Sequence, residues 1–251
     1  MENIISYIPD NFSLIIIIII FSGFIRGFLG FGSGLITIPL LSYIYSPIFA
    51  VVFNIIIEIP TTIYLTFSGL KNSKFKEIAP MFYSMMLMIP IGTIFLISVE
   101  ERIIKIIMST FVIFFVILIA SGWRLKSIIT KYVLVITGMI SGLMQGSTGM
   151  GGPPFATIIL SKGDNNQVTR GNILIMSSGI VLSTVISMFF FNLFSFELLI
   201  TGILASPIYV LASYVGSIFF NSSGKKYFKN ISLFALGTIG ITTLLNSLFQ
   251  Y

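Results

Sequence analysis

The sequence predicts an all-α polytopic membrane protein, and three observations carry that prediction. Of 251 residues, 56% are apolar and only 9% are charged, with a mean hydropathy of +1.05. A soluble domain carries about a quarter charged residues, so the solvent for this surface has to be lipid. Apolar runs of roughly 18 residues or more, the length a helix needs to cross a bilayer, recur along the chain. They are continuous, as in "LIIIIIIFSGF" at 14–24, whereas a membrane β-barrel shows short alternating segments.

The apolar stretches fall at 12–45, 47–70, 78–98, 102–121, 132–161, 168–192, 196–220 and 230–249. The first is expected to stay in the membrane. Glu2 and Asp10 stand where a secretory signal has basic residues, and no A-x-A site follows. The second carries Asn54, Glu58 and Pro60 in mid-stretch. Pro90 and Pro207 are expected to kink the third and seventh. Glu100, Glu101, Arg102 and Lys105 form a solvated helix end, and Glu197 is a helix-start charge. Arg170, with Asn172, opens the sixth stretch near an interface.

Two stretches, 12–45 and 132–161, are longer than one crossing, and both contain glycine-rich breaks. They also resemble each other. At an offset of 115, "GFIRGFLGFGSGLITIP" (23–39) aligns with "GMISGLMQGSTGMGGPP" (138–154), matching Gly23 with Gly138, Gly27 with Gly142, Gly34 with Gly149 and Pro39 with Pro154. At 118, Asn54 meets Asn172. The expectation is an internal duplication, 1–122 and 123–251, each half a broken element followed by three helices.

Charge then selects a topology. If each long stretch enters and returns to its own side, the basic loops 71–76, 124–131, 162–170 and 225–229 share one face. Only Arg102 and Lys105 remain on the other face, the asymmetry of the positive-inside rule. The halves would then be inverted repeats, with both termini outside. Single crossings would leave the two faces nearly balanced.

The breaks suggest chemistry. Non-helical backbone survives at membrane depth only where protein buries it or it lines a wet cavity. Inverted repeats with discontinuous helices place half-helix N-termini at an anionic substrate. Glycine allows close backbone approach, and proline suits a first helical turn, so a half-helix is expected to start at Pro153 or Pro154. The candidate substrate-binding residues are Arg26, Gly30, Ser33 and Gly34 in the first break. In the second they are Gln145, Gly146, Ser147, Thr148, Gly149, Gly151, Gly152 and Pro153. Arg26 is an intramembrane cation, which is costly and usually functional, and its guanidinium can hold an oxyanion bidentately. Glu58, one turn after the Asn54 that Asn172 matches in the second half, fits a proton carrier, a cation ligand or the ion-pair partner of Arg26, with Asn54 and Asn172 grouped with it as coupling candidates. The Gly-x-x-x-Gly pairs Gly23/Gly27, Gly138/Gly142 and Gly142/Gly146 also fit close helix packing alone.

At these residues the chain resembles the sulfite exporter TauE/SafE family, also called the toluene sulfonate uptake permeases. The carrying segments are "GFLGFGSGLITIPLL" (27–41) and "SGLMQGSTGMGGPPF" (141–155). The resemblance implies a plasma-membrane permease for small anions, such as sulfite, sulfonates or other sulfur-containing acids. It carries over Gly146, Thr148, Gly149, Gly151, Gly152 and Pro153. Thr37 departs from the apolar residue expected before Pro39.

The expected function is therefore secondary anion transport by alternating access, with a lipid bilayer as surroundings and H+ or Na+ as coupling ion. A homo-oligomer fits the same reading. A membrane scaffold and an anion channel remain alternatives. An enzyme is not expected: the chain has no His and no Cys, and no nucleophile–base pair is visible. No metal, cofactor or nucleic acid is expected, and with no ATP-binding motif the energy would come from gradients or a partner.

Overall fold

The computed structural model describes residues 12–120 and 129–222. Among these the chain forms helices and connectors. The first long stretch divides into α1 (Phe12–Leu29) and α2 (Gly34–Ile44), followed by α3 (Pro47–Asn72), α4 (Phe75–Ser98) and α5 (Glu101–Ala120). The second divides into α6 (Lys131–Thr148) and α7 (Gly152–Ser161), followed by α8 (Asn166–Phe190) and α9 (Phe196–Ser222). Four of these, α3, α4, α8 and α9, are long and apolar enough to cross a membrane. The stretch 230–249 and both termini lie outside the described residues. Pro90 and Pro207 sit inside α4 and α9, as do Pro60 in α3 and Pro80 in α4.

Local chemistry sets the helix starts. Ser46 caps α3 by accepting the Phe49 amide at 3.1 Å, with Pro47 in the first turn. Asn165 caps α8 through Val168 at 2.8 Å, and Thr130 caps α6 through Val133. Each satisfies an N–H that the helix itself leaves unpaired. The second half-helix begins at Gly152, with Pro153 and Pro154 in its first turn. Their missing N–H groups cost nothing there.

Contact registers give the helix directions. α3 and α8 run antiparallel: Thr66 shares a hydrogen bond with Ser178 at 2.6 Å, Gly69 lies against Leu174, and Gly171 lies against Asn72. α4 runs parallel to α8, with Gly179 against Phe82, Ser183 donating to the Met86 carbonyl at 3.1 Å and Ser187 to Thr93 at 2.9 Å. α6 also runs parallel to α4, and α1 runs parallel to α9. A Cβ on Gly138, Gly142 or Gly146 would overlap the carbonyl of Met81, Met85 or Ile89, and one on Gly27 would overlap that of Ser213. The Gly-x-x-x-Gly pairs thus act as close-packing faces.

α9 starts beside α3, with Gly202 against Ile56. It ends where Ser217 accepts from Arg170 at 3.1 Å, next to the end of α3, so α9 and α3 share a direction. It follows that α1 and α3 point the same way, and so do α6 and α8. The short helices α2 and α7 must therefore carry the chain back, and each broken element enters and returns to its own end of the bundle.

One end is marked by ions. Lys74 pairs with Asp164 at 3.3 Å and Glu77 at 3.5 Å, and Lys162 pairs with Glu77 and with Asp164 at 3.7 Å. Asp164, then Glu77, raises the pKa of the exposed Lys74 ammonium above the usual lysine value. Connectors 73–74 and 162–165 thus share an end, as the returning topology requires and a singly crossing one forbids. Because the chain lacks cysteine, single-cysteine labelling tests this in intact cells. Lys74→Cys and Lys162→Cys are expected to react from the same side with an impermeant thiol reagent, and Glu100→Cys from the other.

Candidate functional site

The two breaks face each other in the middle of the bundle. α1 ends at Gly30, with φ +85°, whose amide bonds the Arg26 carbonyl at 2.7 Å. α6 ends at Gly149, with φ +70°, whose amide bonds the Gln145 carbonyl at 2.8 Å. Left-handed backbone favours glycine at both places. Arg26 and Gln145 therefore hold corresponding positions, four residues before the terminating glycine. A Cβ on Gly34 would stand 2.7 Å from the Gly149 carbonyl, and one on Gly152 would stand 3.2 Å from Phe31. Bulkier residues would separate the breaks.

Between them lies a cavity of about 30 Å³, room for about two waters. Arg26, Ser33, Gly34, Glu58, Gln145, Gly149, Gly152 and Pro153 line it, all expected from the sequence, together with Phe31, Gly32, Leu35, Met150, Phe155, Ser177 and Ile180. A larger void of about 670 Å³ lies between α4, α5 and α6. No charged residue lines it, so it offers nothing to fix an ion.

Arg26 is 4% exposed and Glu58 5%. One Arg26 nitrogen, Nη1, donates to the Gly30 carbonyl at 3.0 Å, and Nη2 donates to Thr62 at 3.2 Å. Nη2 approaches Glu58 Oε2 at 3.9 Å, a loose pair, and Nε is buried without a partner. The other carboxylate oxygen, Glu58 Oε1, accepts from Ser33 Oγ and from Asn54 Nδ2, the latter at 3.2 Å. Ser177 on α8 donates to the same Gly30 carbonyl at 3.1 Å. A guanidinium held on neutral acceptors, with one N–H unspent beside a polar cavity, can take an oxyanion.

The family described as Sulfite exporter TauE/SafE matches residues 15–243, spanning both breaks and most of the chain. The chain belongs to this family. Its members are membrane transporters of sulfite and related sulfur anions, and the TauE/SafE chain is accordingly an integral membrane protein of a transporter family. No curated protein and no solved structure gives a significant match.

Not every candidate residue reaches the cavity. Gly146 is packed on α4, where Ile89 and Thr93 leave no room for a side chain. Ser147 and Thr148 return their hydroxyls to the Leu143 and Met144 carbonyls, each at 2.7 Å, and Ser147 faces the apolar groove. Gly151 donates its amide to Gln145 Oε1 at 3.0 Å, which leaves Nε2 as the donor group of Gln145. Gly30 contributes its carbonyl. Asn172 sits at the ion-marked end, where its Oδ1 accepts from Ser73 Oγ and the Lys74 amide, both at 2.9 Å. Asn54 and Asn172 thus do different work despite their matched positions. Arg170 reaches Gly27 at 3.4 Å and Ser217.

Sequence reasoning passed over Thr62 and Ser177. Both were legible as hydroxyls in apolar runs, "EIPTTI" and "IMSSGI". Breaking a buried ion pair from one side costs about 3–5 kcal/mol, whereas removing both charges costs far less. Arg26→Gln and Glu58→Gln are therefore each expected to lower the unfolding temperature in detergent, and the double variant by less than the sum. Strict additivity would mean the two side chains are not coupled.

Proposed function

We propose that this protein is a secondary transporter for a small sulfur oxyanion or organosulfonate, with sulfite the first candidate. The observation that carries this is the buried Arg26 guanidinium with an unpartnered N–H, beside a cavity lined by both glycine breaks. Buried polar groups are as a rule hydrogen-bonded, so a buried guanidinium N–H left without a protein partner beside a cavity supports a ligand there. Arg26 would hold the anion from the first half, Gln145 Nε2 and the starts of α2 and α7 from the other sides. Phe31, Phe155 and Ile180 would keep the site dry enough for one cation to count.

The repeat pattern supports alternating access. In the proposed halves, 1–122 and 123–251, α4 of the first packs on α6 of the second, and α9 of the second packs on α1 of the first. Corresponding helices α3 and α8 run antiparallel, which is what inverted repeats produce. Rocking one broken element and its partner against the other would expose the cavity to either side in turn. Positive-inside bias then places the end carrying Lys74 and Lys162 in the cytoplasm of a plasma membrane and the start of α1 outside.

Proteoliposome exchange of labelled sulfite tests the reading. Saturable exchange is expected for the native chain. Arg26→Lys retains part of it, since charge survives but the bidentate fork does not. Arg26→Gln loses roughly tenfold or more, equivalent to one charge-assisted hydrogen bond. Gly149→Leu abolishes exchange because its side chain would need positive φ and the space of Ile38. Full activity in both Arg26→Gln and Gly149→Leu would remove this site from the transport path.

A further inference from the structure

We propose that Glu58 is the coupling site of the transporter: it takes up one proton on Oε2 when an anion binds Arg26, so anion and proton occupy the cavity together. The inference rests on the anion reading above and adds the coupling ion to it.

Charge accounting is the first ground. Among the described residues, Arg26 and Glu58 are the only charged side chains that are buried. With Glu58 ionised the pair is neutral, and a monoanion entering would leave the site with a net negative charge in low dielectric. That state is expensive, and such sites neutralise by proton uptake. With Glu58 protonated, Arg26 and the monoanion balance.

The second ground is geometry. The two carboxylate oxygens differ. Oε1 is engaged by Ser33 and Asn54. Oε2 has only the loose 3.9 Å approach to Arg26, so a proton added there displaces no short hydrogen bond. Arg26 does not need Glu58 to stay in place, because Gly30 and Thr62 hold its two terminal nitrogens. A protonated Oε2 is also a donor on the cavity wall, able to bond the anion it admits. The only bond formed is O–H at Glu58, with the proton coming from and returning to water.

The groups around Glu58 leave it as the acceptor. Arg26 faces it from α1, Ser33 from the first break and Asn54 from α3. Tyr209 on α9 is fully buried and near enough to feel Glu58 and Arg26, and its phenol is neutral. Arg170 on α8 is turned onto Gly27 and Ser217. Gln145 and Ser177 are neutral.

The test uses methanesulfonate, a permanent monoanion, because sulfite itself carries protons near neutral pH. Titration calorimetry on the purified full chain, in buffers of different ionisation heat, counts protons taken up. The expected result is uptake of up to one proton per anion, with affinity rising by up to about tenfold per unit fall in pH. Glu58→Gln should bind with no pH dependence and no uptake. In proteoliposomes an inward proton gradient should drive sulfite accumulation by the native chain and not by Glu58→Gln.

Binding by the native chain without proton uptake, flat across pH, overturns the coupling and leaves the anion reading standing. Persistence of the pH dependence in Glu58→Gln assigns the proton elsewhere and overturns it too. No binding of methanesulfonate or sulfite at any pH overturns both. Should Glu58→Gln not fold, the native proton count decides alone.

Discussion

Backbone polar groups in hydrocarbon have to be satisfied within the protein, and that constraint organises this molecule. Continuous helices meet it without help. The segments 30–33 and 149–151 cannot meet it alone, so side chains of neighbouring helices help to meet it. The Gly30 carbonyl takes both Arg26 and Ser177, and the Gly151 amide takes the Gln145 side chain. The irregular backbone thus draws polar side chains to one depth, and the cavity is the space they enclose. The glycine faces of α1, α6 and α9 serve this arrangement, because helices that touch backbone to backbone hold the breaks in register.

The two breaks have the same construction but different chemistry. Arg26 and Gln145 occupy corresponding cap positions, and both line the cavity. One half therefore supplies charge and the other supplies a neutral donor. A symmetric pair of arginines would face each other across a cavity this small and repel. A symmetric pair of glutamines would leave Glu58 unbalanced. Asn54 and Asn172 diverge in the same way: one sits on the carboxylate, the other locks the ion-marked end. Two similar breaks with one buried ion pair between them place a single charged pair at the centre of the bundle.

The bundle was legible because composition, run length and loop charge all report on lipid. The returning topology was an expectation from the basic loops, and the ion pairs between Lys74, Glu77, Lys162 and Asp164 put connectors 73–74 and 162–165 at one end, as it requires. The register of the breaks was read less well. The offset of 115 aligned Gly34 with Gly149, but the left-handed glycines that end α1 and α6 are Gly30 and Gly149, which differ by 119. Gly23, Gly27, Gly138 and Gly142 carry the shorter register because they pack helices. The break follows one turn later in the second half. Composition does not distinguish a packing glycine from a terminating one. Nor does it give the rotation of α6, which turns Ser147 to the apolar groove and Gly146 into α4 while Gln145, one residue before, points inward. The Arg26–Glu58 pair was among the readings the residues allowed. Its loose geometry, and the unequal use of the two Glu58 oxygens, exist only in three dimensions.

The most direct test of the central claim is anomalous diffraction from crystals of the full chain grown with selenite, the selenium counterpart of sulfite. The account predicts one selenium site in contact with the Arg26 guanidinium, between Ser33 and Gly149, and its loss in Arg26→Gln crystals. Selenium found only elsewhere, with the Arg26 cavity empty in a protein that transports the anion, would contradict it.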